Sequence, residues 1–199
     1  MTSILLIRHA DTSLPDRVPG RSSGVHLSKS GLDQAELLAQ RLKDVNIDGI
    51  YCSPLERTLE TAEPLAETKG LVIIPDDHFI EIDFKEWTRK SFGELENEFG
   101  WKQFHFFRNG CVIPGGELMV EVQSRMIAGI QKICSRHPGE TIAVFSHNDP
   151  IKSVIAYYLG VSLDLFLRIE ISTSSVSIIS IYENGAVVRG INLTEISSQ

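Results

Sequence analysis

The sequence has few cysteines and no long hydrophobic run, and both absences narrow the classes of protein to which it can belong. The three cysteines, Cys52, Cys111 and Cys134, lie far apart and form no CxxC pair, so we expect neither a disulfide framework nor a zinc site. No stretch approaches the roughly 20 apolar residues of a membrane span. The start, MTSILLIRHAD, has no cationic segment before a long apolar one, so we predict no signal peptide and a reducing, cytoplasmic location.

Positive charge is also scarce. The 19 lysines and arginines are outnumbered by 26 acidic residues, which gives a net charge of −7. That balance disfavours nucleic acids and anionic membranes as partners. It does not exclude a small anionic metabolite, because a local cluster of arginines can override the field of the whole chain. With 199 residues, 42% of them hydrophobic, the chain suits a single domain over 1–199.

Short apolar runs alternate with segments of helical periodicity along the chain. An Asn-Gly pair between the β-rich segments 175–182 and 186–193 predicts a terminal hairpin. The alternation predicts an α/β fold, with a mostly parallel central sheet and helices on both faces. The predicted strands are 4–7, 49–52, 71–74 and 141–145, and the predicted helices are about 29–44 with Ser28 as N-cap, 53–68, 117–136 and 150–159.

Polar residues follow each of these strands. ILLIRHADT ends in Arg8 and His9, and IAVFSHND repeats the pattern with His147. Arg57 comes soon after the second strand, and Glu81 follows the third after a loop. In parallel α/β sheets, ligands bind beyond the carboxyl ends of the strands. We therefore expect these five residues to meet at one edge of the sheet.

Each residue alone has a plain structural explanation, such as a solvated ion pair for Arg57 on its glutamate-rich helix. Together they suit phosphoryl chemistry. Two guanidinium groups match the oxygens of a phosphoryl group with forked hydrogen bonds. A neutral imidazole can attack phosphorus, and a second, protonated imidazole can neutralise the oxygens as charge shifts. A carboxylic acid such as Glu81 can protonate the leaving alcohol and then activate water. This chemistry requires no metal or other cofactor.

Five segments of the chain resemble motifs of the histidine phosphatase (phosphoglycerate mutase-like) superfamily. They span about residues 4–160 in the family's order, and their combination is far more specific than any one of them. The short chain favours the phosphatase branch. The segments are ILLIRHADT, similar to RHG; SPLERTLETAEPLA, similar to SPLxRxxxTA; EIDFKEWTRKSFGEL, similar to ExxFGxWEG…EL; PGGELMVEVQSR, similar to PGGES…V…R; and VFSHNDPIKSVIAYYLG, similar to VSHGxxIR.

The resemblance implies a role for each matching residue. His9 would be the phosphorylated nucleophile and Glu81 the proton donor. Arg8 and Arg57 would bind the phosphoryl oxygens, and His147 would complete that pocket. The resemblance also implies a phosphoglycerate mutase-like fold with a small helical cap inserted at about 85–116. The candidate residues for contacting the rest of the substrate are Thr12, Arg21 and Asn148.

Several positions depart from the family pattern, and they bear on substrate identity more than on chemistry. The usual glycine after the first histidine is Ala10, whose methyl group would disturb a tight turn that needs a positive φ. Pro15 stands where many members have a phosphate-contacting asparagine. Four further motif positions also differ, with Lys85 for glycine, Thr88-Arg89 for Glu-Gly and Asn148 for glycine.

The leading prediction is a metal-independent phosphomonoester hydrolase that acts on a small phosphorylated metabolite. A cofactor-dependent phosphoglycerate mutase is the alternative within the same chemistry, although such mutases are generally longer. The two HxD units, which start at His9 and His147, raise a metal-dependent hydrolase as another alternative, but a cation beside Arg8 would be repelled. A non-catalytic phospholigand-binding protein is the remaining alternative. An edge strand near the C-terminal hairpin could pair with a second subunit, so a homodimer is also a possibility that the sequence allows.

Overall fold

The computed structural model describes residues 1–14 and 16–195, so Pro15 and its departure from the family pattern lie outside the described residues. Across this range the strands are β1 (Thr2–Arg8), β2 (Gly49–Cys52), β3 (Ile73–Pro75), β4 (Thr141–Ser146), β5 (Val176–Tyr182) and β6 (Gly185–Leu193). The helices are α1 (Lys29–Leu42), α2 (Glu56–Lys69), α3 (Phe92–Leu95), α4 (Phe99–Phe106), α5 (Met119–Arg136) and α6 (Asn148–Leu159). Short 3-10 turns occur at Asp77–Phe79, Lys85–Trp87 and Leu163–Arg168.

The strands form a single sheet in the order β3-β2-β4-β1-β5-β6. The first four strands of that order run parallel, while β5 and β6 complete the sheet as an antiparallel hairpin. The predicted α/β fold with a mostly parallel sheet is therefore confirmed. In the register of β1 with β4, Arg8 lies opposite Ser146. Because the two strands are parallel neighbours, His9 and His147 leave the same edge of the sheet side by side.

Both faces of the sheet are covered, as the continuous apolar character of its central strands requires. Alternate residues of β1 point to opposite faces. Ile4 and Leu6 pack in the larger hydrophobic cluster, which includes residues of α5 and α6. Leu5 and Ile7 pack in a second cluster with residues of α1 and α2. The predicted cap of α1 is also present, because the hydroxyl of Ser28 accepts a hydrogen bond from Gly31 N at 3.0 Å.

Several boundaries differ from those predicted by one to three residues, and three of these differences have a clear local cause. The third strand covers Ile73–Pro75 rather than 71–74, because Leu71 N donates to Ala66 O and closes α2. Helix α2 begins at Glu56, since Ser53 N still bonds to Phe145 O of the sheet. Helix α6 begins at Asn148, two residues early, because proline is tolerated in a first helical turn.

The segment 85–116 contains α3 and α4 and connects the Glu81 loop to α5. Its residues Trp87, Leu95 and Phe104 are almost completely buried and belong to the same cluster as the sheet residues Ile4 and Leu6. The indole of Trp87 also donates to Glu98 Oε2 at 3.0 Å. The segment 85–116 is thus anchored to the main core. Among residues 1–14 and 16–195, no helix is both long and apolar enough to cross a bilayer.

Candidate active site

His9 and His147 meet where β1 and β4 end. Their ring centroids lie 5.2 Å apart, with the ring planes inclined by 60°. The His9 backbone N–H bonds to Ser146 O at 3.0 Å, which ties the two strand ends together. Both side chains are buried. The expected pairing of two imidazoles at one edge of the sheet is therefore present in the fold.

The environment of His9 leaves one ring nitrogen free to act as a nucleophile. His9 Nδ1 lies 2.7 Å from the carbonyl oxygen of Ala10. A carbonyl oxygen can only accept, so Nδ1 carries the proton and Nε2 keeps its lone pair. Burial, reinforced by Arg57 and Arg8, lowers the pKa of His9 to about 3. The ring is therefore neutral at pH 7, with Nε2 unprotonated.

Ser53 sets the tautomer of His147. The Ser53 hydroxyl lies 2.8 Å from His147 Nε2 and accepts a longer hydrogen bond from Leu55 N at 3.5 Å. The hydroxyl proton is then directed at Nε2, which leaves the proton of the ring on Nδ1. That nitrogen lies 3.8 Å from Glu81 Oε2. Burial, and next Arg57, holds the pKa of His147 well below its ordinary value. His147 is thus a neutral donor, whereas the sequence suggested a protonated imidazole.

The two arginines present unsatisfied donors at the same place. Arg8 Nη1 donates to Ile171 O at 2.7 Å, and Arg57 Nη2 donates to Gly20 O at 2.9 Å. Burial lowers the pKa of both guanidinium groups. A buried donor without a partner costs roughly 1–3 kcal/mol. Within the described part of the chain, the buried donors of this site that lack an acceptor are Arg8 Nε, Arg57 Nε, Arg57 Nη1 and His147 Nδ1.

Hydrogen bonds hold the backbone and the carboxylate of Glu81 in place, and the surroundings of the carboxyl group raise its pKa. Its carboxylate accepts from Ile82 N at 2.9 Å. Its carbonyl oxygen accepts from Arg21 Nε at 2.8 Å and from Arg125 Nη2 at 3.2 Å. Both arginines also donate to Glu117, which links them. Burial raises the pKa of Glu81 to about 7, against the opposing effect of Arg57. A carboxyl group with that pKa can serve as acid and base near neutral pH.

A cavity of about 280 Å³ is lined by Arg8, His9 and Glu81, whereas Arg57 and His147 lie outside its lining. The candidates Thr12 and Asn148 line it, whereas Arg21 does not. Arg21 is instead engaged with Glu81 and Glu117, so the prediction that it contacts a substrate anion gains no support from this arrangement. The residues that line the cavity are Arg8, His9, Thr12, Leu14, Asp16, Arg17, Val18, Pro19, Glu81, Phe84, Phe92, Trp101, Asn148 and Asp149.

Comparison with known proteins places this site in a family. The profile of the histidine phosphatase superfamily (branch 1) matches residues 4–194. The chain belongs to the histidine phosphatase superfamily. It is 34% identical over 203 residues to phosphoserine phosphatase 1 of Hydrogenobacter thermophilus, a match that covers 98% of this chain and 93% of the relative. The predicted family and the predicted phosphomonoester hydrolase are confirmed by these matches.

Solved structures of related proteins have the same fold as this chain. Bacillus stearothermophilus YhfR superposes with a TM-score of 0.92 at 27% identity, covering 99% of this chain and 98% of its own. A histidine-to-alanine mutant of phosphoserine phosphatase from Entamoeba histolytica, in complex with phosphoserine, superposes with a TM-score of 0.86 at 26% identity, covering 96% and 97% of the two chains. A probable phosphoglycerate mutase of Yersinia pestis is a more distant relative at 28% identity, over 96% of this chain and 90% of its own.

The departures from the histidine phosphatase pattern have distinct structural consequences. Ala10 is not among the described residues with positive φ, and its backbone N–H donates to Thr61 Oγ1 at 3.0 Å, so its methyl group does not strain the turn. Lys85 and Arg89, by contrast, have φ of 37° and 67°. These left-handed conformations favour glycine, so the two side chains are accommodated at a conformational cost.

Sequence reasoning missed three residues that shape the site. Ser53 sits in the quoted SPLERT segment, but only the fold shows that its hydroxyl faces His147. Asp149 belongs to the HND segment and lines the cavity. Arg108 lies in the segment 85–116 and donates to Asp149 Oδ2 at 2.7 Å. No short motif connects Arg108 to Asp149, because the two residues are distant in the chain.

The alternative of a paired HxD metal site does not match the donor set. Across residues 1–14 and 16–195, no three His, Cys, Asp or Glu side chains are grouped so as to hold a metal ion. The side chain of Asp11 accepts hydrogen bonds from Ser28 and Ser30, and Asp149 is paired with Arg108. Arg8 and Arg57 also flank His9 with positive charge. The described residues therefore suit an anion better than a cation.

Proposed function

We propose that this chain hydrolyses phosphate monoesters of small metabolites through a phosphohistidine formed at His9 Nε2. The observation that carries the proposal is a set of four buried donors without an acceptor on Arg8, Arg57 and His147. These three residues are neighbours of the unprotonated His9 imidazole, through the charges of the two arginines and the 5.2 Å distance between the imidazole rings. A tetrahedral oxyanion supplies the acceptors that those donors lack. Binding a phosphoryl group would thus relieve the cost of burying Arg57 and Arg8 in the free protein.

The first half of the reaction transfers the phosphoryl group to the protein. The lone pair of His9 Nε2 attacks phosphorus, and the P–O bond to the leaving group breaks. Protonated Glu81 gives its proton to the leaving oxygen, so the product departs as a neutral alcohol. Arg8, Arg57 and the Nδ1–H of His147 hold the phosphoryl oxygens throughout, where preorganised donors stabilise the developing charge.

The second half returns the free enzyme. Glu81, now a carboxylate, accepts a proton from water as the water oxygen attacks phosphorus. The P–N bond to His9 breaks, and inorganic phosphate leaves. The pKa of Glu81, raised to about 7 by burial, allows both its acid and its base roles near neutral pH.

The substrate that we propose to test first is phosphoserine. Two observations support it. A relative at 34% identity is named a phosphoserine phosphatase, and a related enzyme at 26% identity is solved with phosphoserine bound. The cavity of about 280 Å³ is also suited to a small metabolite rather than to a macromolecule. Its wall includes Phe92 and Trp101 of the segment 85–116, together with the adjacent Phe84. We therefore propose that this segment acts as a cap over the leaving group.

The decisive experiment measures phosphate release from a panel of phosphorylated metabolites, in EDTA, by wild type and His9→Ala. His26→Ala is a matched control, because that exposed histidine pairs with Glu60 and does not line the cavity. We expect release by wild type and by His26→Ala only. Turnover by His9→Ala at the wild-type rate would contradict the proposal.

The same reaction mixtures also test the mutase alternative. Interconversion of 2- and 3-phosphoglycerate without phosphate release would favour a mutase over a hydrolase. Binding of phosphate without any phosphohistidine would favour a phospholigand-binding protein. The homodimer and the cytoplasmic location stay predictions, which size-exclusion chromatography with light scattering and cell fractionation respectively measure.

A further inference from the structure

Asp149 connects the catalytic edge of the sheet to the segment 85–116. It lies in the first turn of α6, two residues after His147, and lines the cavity together with Arg8 and Glu81. Its Oδ2 accepts from Arg108 Nη1 at 2.7 Å. Its Oδ1 accepts from Asn148 Nδ2 at 3.3 Å. Each carboxylate oxygen therefore accepts a hydrogen bond, and the two bonds together hold the side chain in this orientation.

Arg108 is buried to a degree unusual for a cation. Only 3% of its side chain is exposed, compared with 14% for Asp149. Its guanidinium carbon lies 3.6 Å from the centre of the Phe104 ring and 4.9 Å from that of Phe166. Stacking on both rings fixes the guanidinium plane, and the ion pair with Asp149 compensates for the lost hydration. Burying an ion pair has a large desolvation cost, and the carboxylate of this pair lines the reaction cavity, which points to a role beyond packing.

The carboxylate of Asp149 acts on the groups around the phosphoryl site. Its negative charge raises the pKa of Glu81, second to burial among the influences that do so. The same charge opposes the lowering of the pKa of Arg8 by burial. Asp149 thus favours the proton on Glu81 and the positive charge on Arg8, and both forms are needed when substrate arrives.

We propose that Asp149, held in place by Arg108, is a positioning residue that keeps Glu81 protonated for departure of the leaving group. The proposal rests on the proposed function, because it assigns Glu81 the proton-donor role. It also couples the segment 85–116 to the chemistry, since Arg108 belongs to that segment.

Several other charged groups face Glu81, and the proposal allows for each. Arg57 of α2 and Arg125 of α5 lower the pKa of its carboxyl. Arg21 donates to its carbonyl oxygen, and His147 Nδ1 lies 3.8 Å from its carboxylate. Arg8, the last residue of β1, and the following His9 also line the cavity. Asp149 lines the cavity with Glu81, and its negative charge favours the protonated carboxyl, so removing that charge should lower the pKa of Glu81. Glu117, the other carboxylate of this network, is bound by Arg21 and Arg125 and is unchanged in the test.

The direct test is a titration of the Glu81 carboxyl by carbon-13 NMR, with its signal assigned from Glu81→Gln. The test variant is Asp149→Asn, which removes the charge and keeps an oxygen to accept from Arg108. Asp164→Asn is the matched control, because Asp164 accepts from Asn109 N at 2.8 Å, beside Arg108, but does not line the cavity. We expect the midpoint of Glu81 to fall in Asp149→Asn and to stay unchanged in Asp164→Asn. An unchanged midpoint in Asp149→Asn would overturn the proposal.

Kinetics supply a second readout that a merely structural role would not move. A fall of about one pH unit in the Glu81 midpoint would reduce the protonated fraction at pH 7 about fivefold. We expect that loss in kcat/KM for an alkyl phosphate, and a much smaller loss for p-nitrophenyl phosphate, whose leaving group needs no proton. The basic limb of the pH profile should move to lower pH. Equal losses on both substrates would contradict the proposal.

A double-mutant cycle tests whether Arg108 acts through Asp149. We expect Arg108→Met to change the ratio of activity on the two substrates in the wild-type background and not in the Asp149→Asn background. Additive effects would overturn the coupling. If the wild type hydrolyses neither substrate, the proposed function fails, whereas the NMR midpoints still decide whether Asp149 controls the proton on Glu81.

Discussion

Replacing Glu81 by glutamine should raise the free energy of unfolding relative to the wild type at pH values above about 7. The pKa of Glu81 gives the size of this difference. Burial raises the pKa of Glu81 from its ordinary value of 4.5 to about 7. That difference corresponds to about 3 kcal/mol in the free energy of unfolding, as an order of magnitude. Glutamine has nearly the same shape as glutamate and does not ionise, so Glu81→Gln lacks the free-energy penalty of a buried carboxylate.

The sign follows from the two protonation equilibria of Glu81. Below pH 4.5 the carboxyl is protonated in the folded and the unfolded protein alike, and it imposes no penalty. Between pH 4.5 and about 7 the unfolded state releases the proton more readily, so the stability of the wild type falls as pH rises. Above that range the penalty is complete. His9 and His147 also titrate differently in the two states. Both proteins contain them, so the comparison removes the part of their contributions that does not depend on the charge of Glu81.

The assay is urea unfolding of wild type and Glu81→Gln from pH 4 to pH 8, at fixed ionic strength. We expect the stability difference to move in favour of Glu81→Gln by about 3 kcal/mol across this range. Glu183→Gln is the control, because Glu183 is exposed in the hairpin turn and its variant should track the wild type at every pH. A difference between wild type and Glu81→Gln that is constant with pH would refute the assignment of a raised pKa to Glu81.

Glu81→Gln should also slow hydrolysis of an alkyl phosphate far more than that of p-nitrophenyl phosphate, and equal losses in steady-state kinetics would count against Glu81 as the acid. Arg57→Met should weaken vanadate binding, measured by calorimetry, roughly ten- to a hundredfold through loss of a charged donor, while Arg189→Met at the far edge of the sheet should not. Ser53→Ala should lower kcat about tenfold with little change in KM, because His147 loses the hydrogen bond that sets its tautomer; full activity would show that the hydroxyl is dispensable. Dialysis against EDTA should leave activity unchanged, and loss with recovery on adding a divalent metal would revive the metal-dependent alternative.

The sequence by itself determined the parts of this protein that depend on local pattern. Apolar runs of strand length, helical periodicity and the Asn-Gly turn were enough to predict the α/β sheet and its terminal hairpin, because each depends on neighbours close in the chain. The principal candidate residues followed, since the carboxyl ends of parallel strands meet at one edge and Arg8, His9 and His147 stand directly after such strands. Boundaries were off by one to three residues where a capping hydrogen bond or a proline altered the end of an element.

Only the tertiary structure decided how those residues are tuned. The tautomer of His147 depends on Ser53, the backbone of Glu81 is held by Arg21 and Arg125, and Asp149 is held by Arg108. These contacts join residues that are distant in the chain, and no periodicity or short motif encodes such distances. Burial acts in the same way, because the pKa values of His9 and Glu81 depend on how much water the whole fold removes from them. The residue types in the sequence thus indicate the kind of reaction, and long-range packing sets the protonation states of the residues that would carry it out.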